Sequence, residues 1–102
     1  GISLKELRVD GGAARSRPLL QFQADLLRKP VVRPKCIETT AMGAAYLAGL
    51  AVGFWDDRDA IRQHWETDRT FESQQAAATI ERMREGWNKA VERCRNWEEA
   101  VD

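Results

Sequence analysis

Along residues 4–9 aliphatic positions mix with charged ones, and Leu7 and Val9 fall in phase on one face at the two-residue period of a strand. A strand is therefore predicted over 4–9, with Lys5, Glu6 and Arg8 near an edge or sheet end. Two glycines follow, then Ser16-Arg17-Pro18, where Ser16 can cap a helix and Pro18 suits its first turn. Leu19, Phe22 and Leu26, joined by Leu20 and Leu27, recur at three- and four-residue spacing, which predicts an amphipathic helix over 18–28 packed on a sheet. Pro30 and Pro34 flank Val31 and Val32 and leave room for a short strand over 31–33, parallel to the first through the helical crossover.

Thr39 or Thr40 can cap a further helix over 40–52, which carries a small-residue stripe (Ala41, Ala45, Ala48, Val52) and a bulky one (Met42, Tyr46, Leu50). Gly43 and Gly49 would each cost ~1 kcal/mol against Ala in an ordinary helix, so this one is expected to press against another backbone. Gly53 fits a helix stop, with Phe54-Trp55 anchoring the exit. Ile61 and Trp65 share a face of a helix predicted over 57–66. Over 73–101, Ala76, Ile80, Met83, Trp87, Ala90, Cys94, Trp97 and Val101 step by four and three, the spacing of a coiled-coil seam. Tryptophan is awkward in such a seam, and a surface helix packed on its own domain is the preferred reading. The fold class is α/β: a short parallel strand pair with a crossover helix, then C-terminal helices, helix-rich overall.

A length of 102 residues suits one domain or a piece of one. Sixteen basic residues balance sixteen acidic ones, so composition gives no electrostatic reason to expect nucleic acid or an anionic membrane surface as partner. Arg15, Arg17, Arg28, Lys29, Arg33 and Lys35 gather locally and are read as a solvated face in preference to a phosphate-binding patch. Cys36 and Cys94 lie far apart and form no metal spacing, which suggests free thiols in a reducing compartment. His64 has no partner at ligand spacing and reads as a surface histidine. The uncharged run from Ala41 to Trp55 is shorter than the ~18–20 residues a membrane helix needs, and no cleavable signal opens the chain. A soluble, cytoplasmic protein is expected.

The chemistry concentrates at Asp10-Gly11-Gly12-Ala13, between the first strand and the first helix. Glycine tolerates positive φ and lets backbone approach a ligand closely, and a helix start presents unpaired N–H groups. Gly11 and Gly12 are thus candidate ligand contacts; a tight turn without a ligand is the alternative. Asp10 is either a turn or cap residue or part of the same site.

Three blocks carry a resemblance: Leu7-Arg8-Val9-Asp10-Gly11-Gly12-Ala13, Leu20-Gln21-Phe22-Gln23-Ala24-Asp25-Leu26, and the run from Glu38-Thr39-Thr40 through Gly43-Ala44-Ala45-Tyr46-Leu47-Ala48-Gly49-Leu50 to Phe54-Trp55. With Gly86-Trp87-Asn88-Lys89-Ala90-Val91 and Asn96-Trp97-Glu98, they make the chain resemble the C-terminal part of the glycerol kinases, in the FGGY carbohydrate kinase family of the actin-like ATPase superfamily. The resemblance implies a partial ribonuclease H-like domain and the reaction glycerol + ATP to glycerol 3-phosphate + ADP, with Mg as cofactor. It implies that Gly12 contacts the nucleotide through its backbone, with Gly11 beside it, and that Ser16 stands at the adenine end. The family usually has Asn there, so Ser16 offers one shorter hydroxyl in place of an amide, and Arg17 replaces a smaller polar residue. The glycerol contacts, the catalytic Asp and the magnesium carboxylate of the family have no counterpart among these residues. No catalytic or metal-binding residue is therefore assigned in this chain, and it is expected to be inactive alone. The rest of a kinase chain, or self-association, would cover its exposed faces. Alternatives are a kinase for another polyol or sugar, and a non-catalytic helical interaction module built on 73–101.

Overall fold

The protein's structure is a computed structural model, and residues 1–98 of it are described. In chain order the elements are β1 (Leu7–Arg8), a 3-10 turn (Gly12–Arg15), α1 (Arg17–Leu27), β2 (Val31–Pro34), α2 (Thr39–Ala51), α3 (Arg58–Arg62), β3 (Thr67–Phe71) and α4 (Ala77–Cys94).

The sheet has the order β1-β2-β3. β1 runs parallel to β2, pairing Leu7 with Val31 and Arg8 with Val32, as the crossover reading requires. Regular pairing covers only part of the strand expected over 4–9, although the Val9 amide still reaches the Val32 carbonyl at 3.1 Å. β3 corrects the two-strand expectation. It lies antiparallel on the other side of β2, with Val31 opposite Phe71, Val32 opposite Thr70 and Arg33 opposite Arg69, before the register shifts at Pro34. Proline has no N–H to give the ladder, which accounts for the irregularity there.

The helix expected over 57–66 is correspondingly short, Arg58–Arg62, opened by the Asp57 side chain accepting from the Ala60 amide. Thr67-Asp68-Arg69-Thr70-Phe71 hides from pattern reading because Phe71 alone is buried, so no apolar alternation marks the strand. Trp65, expected to share a helix face with Ile61, lies outside α3, and the Arg8 guanidinium sits 4.4 Å from its ring centroid.

α1 starts where the sequence places it: Ser16 Oγ accepts from the Leu19 amide at 3.3 Å, and Pro18 occupies the first turn. Its buried stripe differs from the expected one. Leu20 and Ala24 enter the core with Val31 and Phe71, and Leu7 and Val9 pack against it, whereas Leu19, Phe22 and Leu27 remain exposed. The small Ala24 lets the helix axis come close to the sheet, and that four-residue pair decides which face turns inward.

Asp25 is the buried charged residue of this helix. Its Oδ1 accepts from Gln21 Nε2 at 3.0 Å and from the Gln74 amide at 2.7 Å, while the same Gln21 nitrogen donates to the Glu72 carbonyl at 2.7 Å. These bonds fasten α1 to the segment between β3 and α4. Arg84 adds a bond from its guanidinium to the Leu26 carbonyl.

α2 ends in a Schellman motif: the Phe54 amide donates to Gly49 O at 2.7 Å, the Gly53 amide to Leu50 O, and Gly53 adopts φ 76°. The backbone contact expected for Gly43 and Gly49 is corrected. Gly49 lies under the Trp55 indole, where a Cβ would overlap the ring, and nothing lies within 4 Å of a Cβ at Gly43. Tyr46 and Phe54 meet the Trp55 ring edge-on at 5.2 and 4.8 Å.

The last helix is shorter than the expected 73–101. It closes at Cys94, with Arg95 extended and Asn96 at φ 56°, and the part of that expectation over 99–101, including Val101, lies outside the described residues. Of its expected seam, Ile80 is buried, whereas Met83 and Trp87 are exposed.

The radius of gyration, 19.4 Å, exceeds the ~13 Å of a compact domain of this length. α2 and α4 extend from a small core, and Leu47, Val52, Phe54 and Trp87 are exposed.

Asp25→Ala should lower unfolding stability by about 1–3 kcal/mol, because donors paired inside the fold lose their acceptor. Asp25→Asn, which keeps one acceptor oxygen, should lose less. Chemical denaturation midpoints at constant m-value measure both.

Candidate functional site

The two glycines serve the backbone differently. Gly11 has φ 81° and ψ 175°, a region essentially closed to other residues, and its amide donates to the Ile37 carbonyl at 2.8 Å. Gly12 opens the 3-10 turn without positive φ, is exposed, and has nothing within 4 Å of where a Cβ would be. The fold requires glycine at the first position and not at the second.

The turn is closed by the Ala14 amide donating to Gly11 O at 3.1 Å and the Ser16 amide donating to Ala13 O at 3.0 Å. This 3-10 segment is an addition to the plain strand-to-helix turn that the sequence suggests. Both glycines remain at the surface of the turn, Gly11 partly covered and Gly12 open.

Asp10 acts as a tether. Its Oδ2 accepts from the Thr39 hydroxyl in the first turn of α2. A carboxylate beside a helix N-terminus is favoured by the helix dipole, and here it joins with the Gly11–Ile37 bond to hold the turn against the start of α2. Ser16 spends an acceptor lone pair on capping α1 and keeps its hydroxyl hydrogen available to donate.

Arg33 holds the turn from below. Its side chain is only 12% exposed; Nη1 donates to the Ala14 carbonyl at 3.1 Å, and Nε and Nη2 donate to Asp68 Oδ2 at 2.9 and 2.7 Å. One guanidinium on β2 thus joins the end of the 3-10 turn to β3. Lys35 pairs with Glu66 through both side chain and backbone, the Lys35 amide donating to Glu66 O at 2.9 Å. The Lys35 ammonium hydrogen-bonds the Glu66 carboxyl and holds it below its ordinary 4.5, while Glu66 raises Lys35 above 10.5.

Beside the turn lies an open groove of about 380 Å³ lined by Arg15, Arg17, Arg33, Lys35, Ile37 and Asp68 together with Pro34. Gly11, Gly12 and Ser16 are not among its lining residues; the turn reaches it through Arg15 and through Ile37, which accepts from Gly11. Spacing along the chain predicts only a solvated face for these cations. Their convergence follows from β2 passing beneath the turn, and no spacing along the chain reports it.

His64 and both cysteines are exposed, and among the described residues no group of three or more His, Cys, Asp or Glu side chains could hold a metal ion. No helix among the described residues is long and apolar enough to cross a membrane.

Residues 1–52 match the model of the FGGY family of carbohydrate kinases, C-terminal domain. Glycerol kinase 1 of Clostridium tetani is 55% identical over 100 residues, covering 98% of this chain and 20% of that protein. The glycerol kinase of Rhodopirellula baltica is 57% identical over 99 residues, covering 97% of this chain and 18% of that protein. Among solved structures, Plasmodium falciparum glycerol kinase with ADP matches with TM-score 0.76 and 34% identity over 97% of this chain and 19% of that one. A ligand-bound xylulose kinase from Lactobacillus acidophilus also gives TM-score 0.76, at 22% identity over 90% of this chain and 19% of that one, a likeness of fold alone. The chain spans about a fifth of the length of the curated relatives it matches.

Gly11→Ala should destabilise the fold by roughly 1–3 kcal/mol, since alanine is forced into a glycine-only conformation. Gly12→Ala should stay within about 1 kcal/mol of the parent, the ordinary cost of an alanine-for-glycine exchange that meets no clash. Thermal unfolding of the pair separates the two roles. The Lys35–Glu66 pair also predicts a pH response: the depressed Glu66 carboxyl contributes stability above 4.5 that is lost as pH falls through its folded value. Lys35, raised, contributes below 10.5 and loses its contribution as pH rises through its own. Glu66→Gln should flatten the acid limb, read from the Lys35 amide signal across a pH series.

Proposed function

The chain belongs to the FGGY family of carbohydrate kinases, and from that premise we propose that it is the nucleotide-side C-terminal segment of a glycerol kinase. The observation that carries the reading is the 55–57% identity to proteins named glycerol kinase over almost the whole of this chain. The reaction is transfer of the terminal phosphoryl group of ATP to a terminal hydroxyl of glycerol, giving glycerol 3-phosphate and ADP. The three strands belong to a ribonuclease H-like sheet that the rest of such a kinase completes, and the enzyme works in the cytoplasm.

In this reading Gly12 meets the nucleotide through its backbone. Its exposure and the empty space over its Cα support that role, because the fold itself gives no reason for glycine there. Gly11 fixes the turn that presents it, Asp10 and Thr39 hold the turn against α2, and the free hydroxyl hydrogen of Ser16 donates at the adenine end. ADP accompanies the Plasmodium falciparum glycerol kinase that this chain resembles. Among the described residues no group of three or more His, Cys, Asp or Glu side chains could hold a metal ion, and no step of this segment is routed through magnesium.

Phosphoryl transfer is mainly positioning and charge stabilisation around the phosphates. Millimolar binding already needs about 4 kcal/mol, and one backbone hydrogen bond contributes a net of roughly 0.5–1.5. The isolated chain is therefore silent in catalysis and a weak binder of nucleotide at best. The exposed apolar surface of α2 and α4 is covered by the remainder of a kinase chain or by self-association.

A chimera tests this reading: Clostridium tetani glycerol kinase 1 with its C-terminal segment replaced by this chain. It should form ADP in the presence of glycerol, whereas the same kinase lacking the segment and the 102-residue chain alone should not. Gly12→Val in the chimera should raise KM for ATP about tenfold or more, with KM for glycerol little changed, since a side chain would stand where the nucleotide approaches. A folded chimera without glycerol-dependent turnover, or glycerol phosphorylation by the isolated chain, overturns the proposal.

A further inference from the structure

The fold sorts the cations of residues 15–35 into two groups. Arg28 and Lys29 stand beyond the C-terminal end of α1, about 16 Å from its start for eleven residues of helix. Arg15, Arg17, Arg33 and Lys35 all line the groove beside the glycine turn.

Their partners show which charges are free. Arg33 donates to Asp68, the carboxylate that lines the groove, and Lys35 is held by Glu66, which does not line it. Arg15 and Arg17 form no ion pair among the described residues. In a 3-10 turn, side chains three positions apart eclipse one another, so Arg15 emerges from the side of the turn where Gly12 carries no side chain. Two exposed guanidinium forks thus face a cavity whose floor is a third, fixed by its bonds to Ala14 and Asp68.

We propose that this groove binds the phosphate group of a small phosphorylated molecule, with Arg15 and Arg17 donating to its oxygens over the fixed Arg33. Paired N–H donors of guanidinium match oxyanion geometry, and four cations against two carboxylates, Asp68 on Arg33 and Glu66 on Lys35, leave the groove positive in a chain whose overall charge is zero. At about 380 Å³ the space suits a phosphate with a small body attached, and not a folded partner. The site is separate from the backbone contact assigned to Gly12 and does not depend on it. The phosphate can belong to a nucleotide lying across the turn or to a second, independent metabolite.

The test is a titration of the ¹⁵N-labelled 102-residue chain with sodium phosphate, against sodium chloride at matched ionic strength, read from backbone amide signals. Phosphate should shift Arg15, Arg17 and Lys35 saturably, with dissociation in the millimolar range, and chloride should not. Arg15→Gln with Arg17→Gln should weaken binding roughly tenfold or more, and exposed Arg17→Gln alone should weaken it less. The distant pair Lys5→Gln with Lys89→Gln should leave it unchanged. If ADP competes with phosphate while adenosine does not, the phosphate is the nucleotide's own; if ADP and phosphate bind together, it belongs to a separate molecule. Either result supports the site. Equal shifts with chloride, no saturation, or a double arginine variant that binds like the parent overturns it. Because phosphate alone is the primary probe, a negative result leaves the glycerol kinase reading to be judged by the chimera.

Discussion

β2 is the constraint on which the rest of the structure depends. Val31 pairs with Leu7 on one side and Phe71 on the other, and it is fully buried under Leu20 and Ala24 of α1. A strand hydrogen-bonded along both edges and covered on one face has no freedom of register, because a one-residue slip would turn Val31 out of the core. From that fixed strand Arg33 points to the other business of the fold, binding the end of the glycine turn and β3 with one guanidinium. Core and glycine turn are therefore mechanically one unit, joined through two residues, Val31 and Arg33, of a four-residue strand.

The turn itself is held from three directions. Arg33 fixes its far end, the Gly11–Ile37 bond ties it to the connection after β2, and the Asp10–Thr39 bond brings it to the start of α2. None of these contacts uses Gly12. A segment so restrained, with one open glycine left unused, presents backbone that is already ordered, and that preorganisation is what supports the nucleotide contact proposed for Gly12.

Elsewhere the chain is loosely consolidated. α2 is apolar nearly all round, yet Gly49 is its buried residue, and that burial comes from Trp55, a neighbour in sequence. α4 buries Ile80 and leaves an apolar groove against α1, lined by Phe22, Leu27, Met83 and Trp87. Helices with apolar residues on several faces need several neighbours, and a radius of gyration of 19.4 Å reflects how few of them these residues supply. This is what a chain about a fifth the length of its relatives would present.

Local chemistry settled much of the architecture from sequence alone. Ser16 before Pro18, the two prolines around Val31-Val32, and Gly53 after α2 act on backbone within a few residues, so their effects are readable without knowing what lies across the fold. The glycine pair marked the turn for the same reason, although sequence could not say that Gly11 alone is conformationally obligatory. What tertiary structure decided was everything requiring a distant partner. β3 has one buried residue and exists because β2 offers an open edge; the inward face of α1 is chosen by the closeness Ala24 allows. The basic groove likewise forms only when β2 carries Arg33, and the residue after it Lys35, beneath Arg15 and Arg17, a juxtaposition of charges set by strand pairing and invisible to any local pattern.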